Sequence, residues 1–435
     1  MTNDLIKKIK NREAVIGIVG LGYVGLPLAV EFAEAGFTVY GYDISKSKVK
    51  LISAGKSDID DVPDKVVEKL VKSGNLVATD DPRLMKKVDT MSICVPTPLS
   101  KTKDPDVSYI LSAVEMIKQI LHKDMLIILE STTYPGTTED MIKPLLEDSG
   151  FKMGKDIFLA FSPERVDPGN TKFMTGNTPR VVGGITPRCT KIAKVFYEQI
   201  INTVIPMSST KAAEMVKLLE NTFRSVNIGL VNEVALMCDR LGLNVWEIID
   251  AAATKPFGFM PFYPGPGLGG HCIPIDPHYL SWKLKSLNYY ARFIELAGDI
   301  NSHMPEYVVE RVRKLLNHYG KSVKGSNILI LGVAYKKDIK DMRESPALDV
   351  MKLLEKDGAK LHYNDPHVPE IRWNEGSHRS VKLTAGLLNK ADLVIILTNH
   401  TSYNYHWIVE NSKLIFDSRN AAQMVKSGRN KITTL

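Results

Sequence analysis

Two hydrophobic patterns alternate along the amino-terminal half of the chain. Continuous apolar runs, typical of parallel strands buried on both faces, occur at 14–19, 90–95, 125–129 and 157–161. The first run leads into GLGYVG at 20–25, then into a segment with helical spacing that ends near Gly36, and then into a predicted strand at 38–42. This alternation predicts an open, doubly wound sheet through about residue 205.

A long helical pattern follows. From Ser208 to Leu241 apolar residues recur at steps of three and four, and Gly229 is the one clear interruption. A helix of this length typically joins two domains or forms a subunit interface, and we expect a dimer through it. A second helix predicted at 303–318 extends the same middle region.

Alternating strands and helices return near the carboxyl end. Strands are predicted at 326–335, 360–364, 391–398 and 413–418, with a helix at 346–356. The first loop of this region has no GxGxxG motif and instead carries Lys336, Lys337, Lys340 and Arg343. These cationic side chains could contact a phosphate as backbone amides do in the first domain.

The predicted fold class is therefore α/β, with two Rossmann-like doubly wound domains joined by a long central helix. The predicted limits are 1–205 for a dinucleotide-binding domain, 206–320 for a helical dimerisation region, and 321–435 for a smaller α/β domain.

Composition narrows the class of protein. The 435 residues are 44% hydrophobic and 24% charged, which is typical of a globular chain, and no stretch approaches the roughly 20 apolar residues of a membrane helix. The net charge of +7 is spread without long runs of one sign, so nucleic-acid binding gains no support and an anionic small substrate is compatible. The amino terminus lacks the apolar core of a signal peptide, and we expect a cytoplasmic protein.

The cysteine pattern excludes two further classes. Cys94, Cys189, Cys238 and Cys272 are far apart with no CxxC pair, so neither a disulfide framework nor a cysteine-rich zinc site is predicted. No His, Cys or carboxylate spacing indicates a metal site of another kind, and we expect none.

The GxGxxG motif is in the context that a dinucleotide fold requires. It follows a strand and opens a helix, and Asp43 stands 18 residues after Gly25. Gly20 permits the tight turn, Gly22 lets a pyrophosphate approach, and Gly25 allows the helix to pack closely on the strand. Asp43 would accept hydrogen bonds from a ribose and repel a ribose phosphate, which favours NAD over NADP. The alternative is a Gly-rich turn with an Asp that caps the strand.

The segment YPGPGLGGHCIPIDP at 263–277 has too many Gly and Pro residues for a helix or strand interior. Such a constrained loop suggests backbone packed against a ligand, and its Cys272 stands four residues before Asp276. If the chain turns helical near Cys272, thiol and carboxylate share a face and the helix dipole favours the nucleophilic thiolate. The alternative is a small buried cysteine in a packed loop.

Further polar groups lie on the long helix and after two predicted strands. Lys217 and Asn221 are four residues apart on one helix face, and a partly desolvated lysine there is suited to electrostatic or base catalysis, unless it extends to solvent. Thr132 and Glu164 follow the strands at 125–129 and 157–161, at the sheet edge where ligands bind. The Ser and Thr hydroxyls could equally cap helices.

These motifs occur together and in order. The family resemblance is carried by GLGYVGLPLA, CVPTP, ESTTYPGTTE, SPER, the helix with Lys217 and Asn221, GPGLGGHCIPIDP and YKKDIKDMRESP. Together they resemble the nucleotide-sugar 6-dehydrogenases of the UDP-glucose and GDP-mannose dehydrogenase superfamily, over essentially the whole chain. STKAAEMVKLLEN, TKPFGFMPFYPGPGLGGHCIPIDP and FSPER are most similar to bacterial UDP-N-acetylglucosamine 6-dehydrogenases of surface-polysaccharide pathways.

The resemblance implies a four-electron oxidation of the sugar 6-hydroxyl to a carboxylate, with two NAD⁺ reduced. Cys272 matches the family nucleophile, Lys217 and Asn221 match groups that stabilise oxyanions, and Asp276 matches a carboxylate that assists proton transfer. Glu164 and Thr132 match positions that handle the water and the hydroxyl.

The resemblance also implies ligand contacts. The cofactor contacts are Gly20, Gly22, Tyr23, Val24, Gly25, Asp43, Lys48, Pro96, Thr97, Thr132 and Arg343. The UDP-sugar contacts are Glu164, Lys217, Asn221, Tyr263, Gly269 and Lys336, with Lys336 facing the diphosphate. One departure favours an N-acetylated sugar: many UDP-glucose enzymes have Ser where this chain has His271.

Other functions remain open on the residues. The same chemistry could act on UDP-N-acetylmannosamine, UDP-N-acetylgalactosamine or UDP-glucose. A two-electron alcohol dehydrogenase would form one NADH and use Cys272 only structurally. A catalytically silent nucleotide-sugar sensor is the third class, and the complete set of candidate catalytic residues argues against it.

Overall fold

The computed structural model describes residues 2–59, 61–100, 104–165, 173, 175–270, 272–373 and 376–435. The chain divides into two compact units, with unit 1 formed by Met1–Glu220 and His278–Tyr289 and unit 2 by Asn221–Pro277 and Tyr290–Leu435. The three-part division with limits at 205 and 320 remains a prediction.

The elements alternate as a doubly wound fold requires. Unit 1 contains α1 (Thr2–Lys10), β1 (Val15–Val19), α2 (Gly25–Glu34), β2 (Thr38–Tyr42), α3 (Lys46–Ser53), α4 (Asp64–Ser73), β3 (Leu76–Thr79), β4 (Thr90–Ile93), α5 (Ser108–Lys118), β5 (Leu126–Leu129), α6 (Lys143–Glu147), β6 (Phe158–Phe161), β7 (Arg180–Gly184), α7 (Pro187–Tyr197) and β8 (Val204–Pro206). Short 3₁₀ turns occupy Pro82–Lys87 and Arg429–Lys431, and a π-helical turn occupies Thr137–Ile142.

Two helices cross the unit boundaries. These are α8 (Thr210–Leu241) and α10 (Asp276–Lys285), with α9 (Val245–Ala253) between them. The rest of unit 2 contains α11 (Arg292–His318), β9 (Asn327–Leu331), α12 (Pro346–Lys356), β10 (Lys360–Asn364), β11 (Glu370–Trp373), β12 (Gly376–Arg379), α13 (Ala385–Lys390), β13 (Leu393–Ile396), α14 (Tyr405–Asn411), β14 (Ile415–Asp417) and β15 (Ile432–Thr434).

The sheet of unit 1 has the order β3-β2-β1-β4-β5-β6-β7-β8, and β1 to β6 run parallel. Alternate strand residues enter different cores: Ile128 packs on one face and Ile127 on the other. Both faces are covered by helices, which is why the strands read as continuous apolar runs. The strand pair β7 and β8, which the sequence pattern did not predict, reverses direction because β7 pairs antiparallel with β6.

The sheet of unit 2 is smaller and wholly parallel, in the order β10-β9-β13-β14-β15, with a separate hairpin of β11 and β12. The predicted α/β class with two doubly wound sheets and a long central helix is therefore confirmed. Predicted strand 326–335 ends earlier, at Leu331, because Gly332 adopts a left-handed φ of 81° and lies against Thr398.

The two long helices of the middle region differ from the sequence prediction in two respects, the start of α11 and the role of Gly229. The predicted helix at 303–318 is the second part of α11, which begins at Arg292 and includes Pro305. The predicted break at Gly229 is a packing position. A Cβ there would lie 3.2 Å from Ala297 on α11, so the glycine allows the two helices of unit 2 to approach closely.

The first loop of the unit 2 sheet is held by one buried carboxylate. Asp365, just after β10, accepts backbone amide hydrogens from Val333 at 2.7 Å and Ala334 at 3.0 Å. It also contacts His400 Nε2 at 3.0 Å. Because His400 Nδ1 accepts the Asp338 amide hydrogen at 2.9 Å, Nε2 carries the proton and donates to Asp365.

We predict that Asp365→Asn destabilises unit 2 at neutral pH and that its deficit shrinks in acid. Burial acts against the Asp365 charge, but the His400 hydrogen bond and the backbone amides lower its pKa below the ordinary 3.8. A carboxyl group with a lowered folded pKa contributes stability above 3.8 and loses it as pH falls through the folded pKa. Thermal unfolding of both proteins between pH 2.5 and 7 measures this, and a pH-independent deficit would contradict it.

Candidate active site

The GLGYVG turn has the geometry of a dinucleotide-binding loop. Gly20 adopts a φ of 91°, and a Cβ on Gly25 would lie 1.8 Å from the Gly20 carbonyl oxygen. In contrast, a Cβ on Gly22 would meet no protein atom within 4 Å. Gly25 therefore serves helix–strand packing, whereas Gly22 faces open space at the amino terminus of α2, where a pyrophosphate is favoured.

Asp43 ends β2 and holds the same turn. One of its oxygens accepts the Leu21 amide hydrogen and the other accepts the Ser45 amide hydrogen, both at 2.9 Å. The carboxylate is only half-buried, and each oxygen keeps a lone pair for a ribose hydroxyl. The cap and the ribose acceptor are therefore compatible functions of one side chain. Asp365 holds the corresponding place in unit 2 but is buried, so it serves the fold alone.

The other predicted cofactor residues of unit 1 lie in varied environments. Tyr23 is 41% exposed, and Lys48 forms an ion pair with Asp58 at 3.3 Å. Pro96 is exposed, whereas Thr97 is buried and its carbonyl oxygen accepts the Tyr279 hydroxyl at 2.5 Å. Val24 immediately precedes α2.

Glu164 stands beyond the carboxyl end of β6 and is held by donors on both oxygens. Its Oε1 accepts the Arg165 amide hydrogen at 2.7 Å, and its Oε2 accepts from Arg180 Nη1 at 3.1 Å. The side chain keeps 17% exposure. Glu164 is therefore an oriented carboxylate that still meets solvent.

Thr132 lies on the loop after β5, and a second buried carboxylate fixes that loop to α8. Glu214 accepts the backbone amide hydrogens of Gly136 at 2.6 Å and Thr138 at 2.9 Å, and the Thr138 hydroxyl at 2.7 Å. Burial raises the pKa of Glu214, and these donors oppose the rise. Lys217 lies one turn further along α8 and is 9% exposed. Among the described residues its ammonium group has no hydrogen-bond or ion-pair partner.

In unit 2, Cys272 is exposed and lies in a turn before α10. The predicted helical start at Cys272 is displaced, because regular helix begins at Asp276, but the Asp276 amide already donates to the Cys272 carbonyl oxygen at 2.8 Å. The buried Asp276 carboxylate accepts from Asn221 Nδ2 at 2.5 Å. This contact joins α8 to the start of α10, next to the exposed thiol. His271 lies outside the described residues.

The glycines before Cys272 pack closely against protein atoms, and contact of this loop with a ligand stays a prediction. A Cβ on Gly269 would lie 2.6 Å from the Tyr335 Cβ, and one on Gly270 would lie 2.8 Å from the Tyr335 ring. The Gly270 amide donates to the Arg343 carbonyl oxygen at 2.9 Å. The glycines therefore place the cysteine loop directly on the loop that carries Lys336.

The remaining predicted ligand residues of unit 2 are placed as follows. Lys336 is half-buried on the loop after β9, and Arg343 pairs with Asp341 at 2.6 Å. Tyr263 is exposed, stacks on Trp246 and donates its hydroxyl to Asp250 at 2.8 Å, and that hydrogen bond raises its pKa.

One described group of side chains has metal-ligand character, contrary to the spacing-based expectation. Asp338, His367 and His400 offer ligand atoms within 4.8 Å of one another. Both ring nitrogens of His400 are already committed, to the Asp338 amide and to Asp365. Two donors remain, which is fewer than a protein metal site ordinarily uses.

The chain matches three family models in order. They are the NAD-binding, central and UDP-binding domains of the UDP-glucose/GDP-mannose dehydrogenase family, at residues 14–201, 211–303 and 329–424. The chain belongs to this family.

Relatives with full-length similarity carry different substrate names. UDP-N-acetyl-D-mannosamine dehydrogenase of Pyrococcus horikoshii is 35% identical over 411 residues, covering 93% of this chain and 95% of its own. UDP-N-acetyl-D-glucosamine 6-dehydrogenase of Salmonella typhi is 34% identical over 395 residues, covering 90% and 91%. The solved P. horikoshii structure superposes with a TM-score of 0.85 at 34% identity, covering 94% of this chain and 96% of that one.

Family membership confirms the resemblance, the oxidoreductase class and NAD as the cofactor. The residues fit that cofactor, since the Gly22 amide region is open, α2 begins at Gly25, and Asp43 is accessible. The carboxyl-terminal α/β domain is the UDP-binding domain of the family. No helix among the described residues is long and apolar enough to cross a membrane.

Three residues near the candidate site of this dehydrogenase were not predicted from the sequence. Glu130 and Arg180 form a buried ion pair next to Glu164. Arg419, just after β14, lies against Gly265, and burial lowers its pKa to about 10. Its terminal nitrogens have no hydrogen-bond acceptor among the described residues. Each of the three lies at or near a strand end, which is where site residues are expected. Nothing else in the sequence pattern distinguishes them from ordinary polar residues.

We predict that Gly22→Ala and Gly25→Ala separate binding from folding. Gly22→Ala leaves stability nearly unchanged but weakens NAD binding by about 10-fold or more, because the methyl group occupies the approach to the pyrophosphate. Gly25→Ala destabilises the fold by at least about 2 kcal/mol, since its Cβ overlaps a carbonyl oxygen. Thermal unfolding and NAD titration measure both effects, and equal losses of stability in the two variants would refute the assignment.

Proposed function

We propose that this protein oxidises the 6-hydroxyl of a UDP-N-acetylhexosamine, UDP-N-acetylglucosamine in particular, to the uronic acid. Cys272 carries the proposal. It is an exposed thiol at the turn into α10, beside the buried Asn221–Asp276 hydrogen bond and on a loop packed against the loop of Lys336. A nucleophile, a carboxylate and an amide are thus held at one place in unit 2.

The overall reaction is RCH₂OH + 2 NAD⁺ + H₂O → RCOO⁻ + 2 NADH + 3 H⁺. When bound at the GLGYVG turn and Asp43, NAD⁺ would supply the hydride acceptor for each oxidation. The Cys272 sulfur attacks the carbon of the first-formed aldehyde, and the resulting thiohemiacetal loses a second hydride and a proton to become a thioester. Water then adds to the thioester carbonyl, the C–S bond breaks, and the thiol returns.

The polar residues of unit 2 suit proton handling. Asp276 is buried, and one of its oxygens is held by Asn221. We assign it the transfer of protons to and from the cysteine and the sugar hydroxyl. Asn221 orients this carboxylate and is a second hydrogen-bond donor for an oxyanion.

The polar residues of unit 1 suit charge stabilisation and water activation. Lys217 has a nearly buried ammonium group without a described partner, so we assign it to developing oxyanions. Glu164 is a carboxylate held in place by Arg165 and Arg180 that keeps solvent access, so we assign it to the hydrolytic water. Thr132 lies at the carboxyl end of β5 and has no described hydrogen-bond partner, so its hydroxyl is available to substrate or cofactor.

The choice of UDP-N-acetylglucosamine rests on local sequence. Overall identity does not separate the relatives named for glucosamine and mannosamine substrates, at 34% and 35%. What supports the choice is the resemblance of the segment TKPFGFMPFYPGPGLGGHCIPIDP, which contains the nucleophile, to the glucosamine enzymes. Tyr263, within that segment, is exposed and fixed by Trp246 and Asp250, as a substrate contact requires.

We predict two NADH per molecule of UDP-N-acetylglucosamine at limiting sugar. The mannosamine and galactosamine epimers and UDP-glucose react with lower kcat/KM. Cys272→Ala blocks turnover after the first oxidation and forms no thioester, whereas Cys189→Ala, which removes a buried thiol, keeps the stoichiometry. NADH absorbance with product mass spectrometry measures this.

The possible outcomes separate the alternatives. One NADH with a persistent aldehyde would make this an alcohol dehydrogenase with a structural Cys272. Sugar binding without NADH would indicate a nucleotide-sugar sensor. Two NADH with a faster epimer would keep the chemistry and change the substrate.

We also propose a homodimer formed through α8. Phe223, Leu230 and Met237 stand seven residues apart on this helix and are 48%, 55% and 49% exposed. Phe223 and Leu230 line an apolar groove of about 570 Å³, together with residues 256–260 and Phe262. A large exposed apolar stripe indicates an interaction surface, and a heptad-spaced stripe is self-complementary for a second copy.

We predict that the protein sediments as a dimer at micromolar concentration and that Leu230→Glu yields monomers. In the dimer, the introduced carboxylate of one copy is buried opposite the same carboxylate of the other copy. The cost of burying these charges and their mutual repulsion oppose association. Met424→Glu, at an exposed apolar residue outside the stripe (76% exposed against 55% for Leu230), is the control and stays dimeric. Analytical ultracentrifugation checks this, and a monomeric unmodified protein would remove the proposal.

A cytoplasmic location is part of the proposal. No disulfide joins the four described cysteines, and the proposed nucleophile is the exposed one. An exposed catalytic thiol is maintained in a reducing compartment.

A further inference from the structure

A fully enclosed arginine lies behind Glu164 in unit 1. Arg180 is the first residue of β7, and its side chain is 4% exposed. Its Nη1 donates to Glu164 Oε2 at 3.1 Å, its Nε donates to Ser162 Oγ at 2.9 Å, and its Nη2 bonds the Glu130 carboxylate. The guanidinium therefore uses all three nitrogens to join the ends of β5 and β6.

The other side of this arginine is also occupied. Its Cζ lies 4.4 Å from the centre of the Tyr197 ring, and the Tyr197 hydroxyl donates to Glu130 Oε1 at 2.7 Å. Burial raises the pKa of Glu130, whereas Arg180 acts to lower it. Glu130 and Tyr197 thus hold the guanidinium in the orientation that reaches Glu164.

The charges of the cluster do not cancel. One guanidinium faces two carboxylates, so the group carries one excess negative charge if both are ionised. Glu130 is buried behind the arginine, whereas Glu164 reaches solvent. Glu164 is therefore the carboxylate of this pair that a water molecule can approach.

We propose that Arg180 is a positioning residue for thioester hydrolysis, acting through Glu164, and that Glu130 and Tyr197 hold Arg180 in place. The inference rests on the proposed function. In the hydrolytic step, the Glu164 carboxylate takes a proton from water, the water oxygen bonds to the thioester carbon, and the C–S bond breaks to release Cys272. Arg180 fixes the oxygen that takes the proton.

The arrangement predicts an effect confined to hydrolysis. Arg180→Lys keeps the charge but loses the planar fork, so it cannot contact Glu130 and Glu164 together. Misplacement of the Glu164 carboxylate slows hydrolysis by about 10-fold to 100-fold. The rate of formation of the Cys272 adduct and kcat/KM for the sugar nucleotide stay within about twofold, because adduct formation does not use Glu164 as a base.

The experiment is rapid-quench single turnover on the full-length protein, with UDP-N-acetylglucosamine and NAD⁺. Intact-protein mass spectrometry follows the sugar-nucleotide adduct. We expect the adduct to accumulate in Arg180→Lys and not in the unmodified protein. Arg188→Lys is the matched control, since Arg188 is a half-buried arginine of the same unit that stacks on Phe158 and bonds the Gly154 carbonyl oxygen.

A double-variant cycle distinguishes positioning from general stability. If Arg180 acts through Glu164, Arg180→Lys causes no further slowing of hydrolysis in a Glu164→Gln background. Equal slowing of adduct formation and hydrolysis, an additive effect in that background, or normal hydrolysis in Arg180→Lys would each overturn the inference.

If Arg180→Lys does not fold, Tyr197→Phe removes one support of Glu130 and gives the same test with a smaller expected effect.

The two proposals fail differently. An unmodified protein that never forms two NADH per sugar contradicts the proposed function. An unmodified protein that forms two NADH, combined with normal hydrolysis in Arg180→Lys, contradicts only the inference about Arg180.

Discussion

Loops at the carboxyl edge of a parallel sheet carry backbone amides that no strand or helix satisfies, and buried or half-buried carboxylates accept them in both units. Asp43 holds Leu21, Asp365 holds Val333 and Ala334, and Glu214 holds Gly136 and Thr138. A buried carboxylate is costly without donors, and a buried amide is costly without an acceptor. The carboxylate therefore requires the amide donors, and the amides require the carboxylate. As a result, the ligand-facing loops have little freedom to shift.

The same requirement distinguishes carboxylates that hold loops in place from carboxylates that take part in ligand binding or reaction. Carboxylates that are wholly occupied by donors, such as Asp365 and Glu214, fix loops and have little capacity left for a ligand. Asp43 and Glu164 also bind protein donors but stay partly exposed, and these are the two that the family resemblance assigns to cofactor and reaction. Partial exposure of an oriented carboxylate is thus the physical mark of the functional positions in unit 1.

The cysteine loop follows a different principle. Its glycines are required by neighbouring protein atoms, chiefly Tyr335, so the loop is as closely packed as a core segment. That packing places the nucleophile beside the loop of the UDP-binding domain. Dense glycine in a loop therefore indicates close approach of some atom, and the sequence does not say whether that atom belongs to protein or ligand.

The sequence by itself determined the α/β class, the GLGYVG turn with Asp43, the long helix and the exposed-loop cysteine, because each has a short-range pattern. Apolar runs, helical periodicity and Gly spacing act over a few residues, so they are legible without the fold. Tertiary structure alone decided the pairing of Arg180 with Glu130 and Glu164, and of Asn221 with Asp276, since these partners are far apart in sequence and become neighbours only at strand and helix ends. Tertiary structure also decided which side chains are covered. The exposure of the stripe on α8 and the burial of Arg180 both depend on what packs against them, and no local sequence pattern predicts that packing.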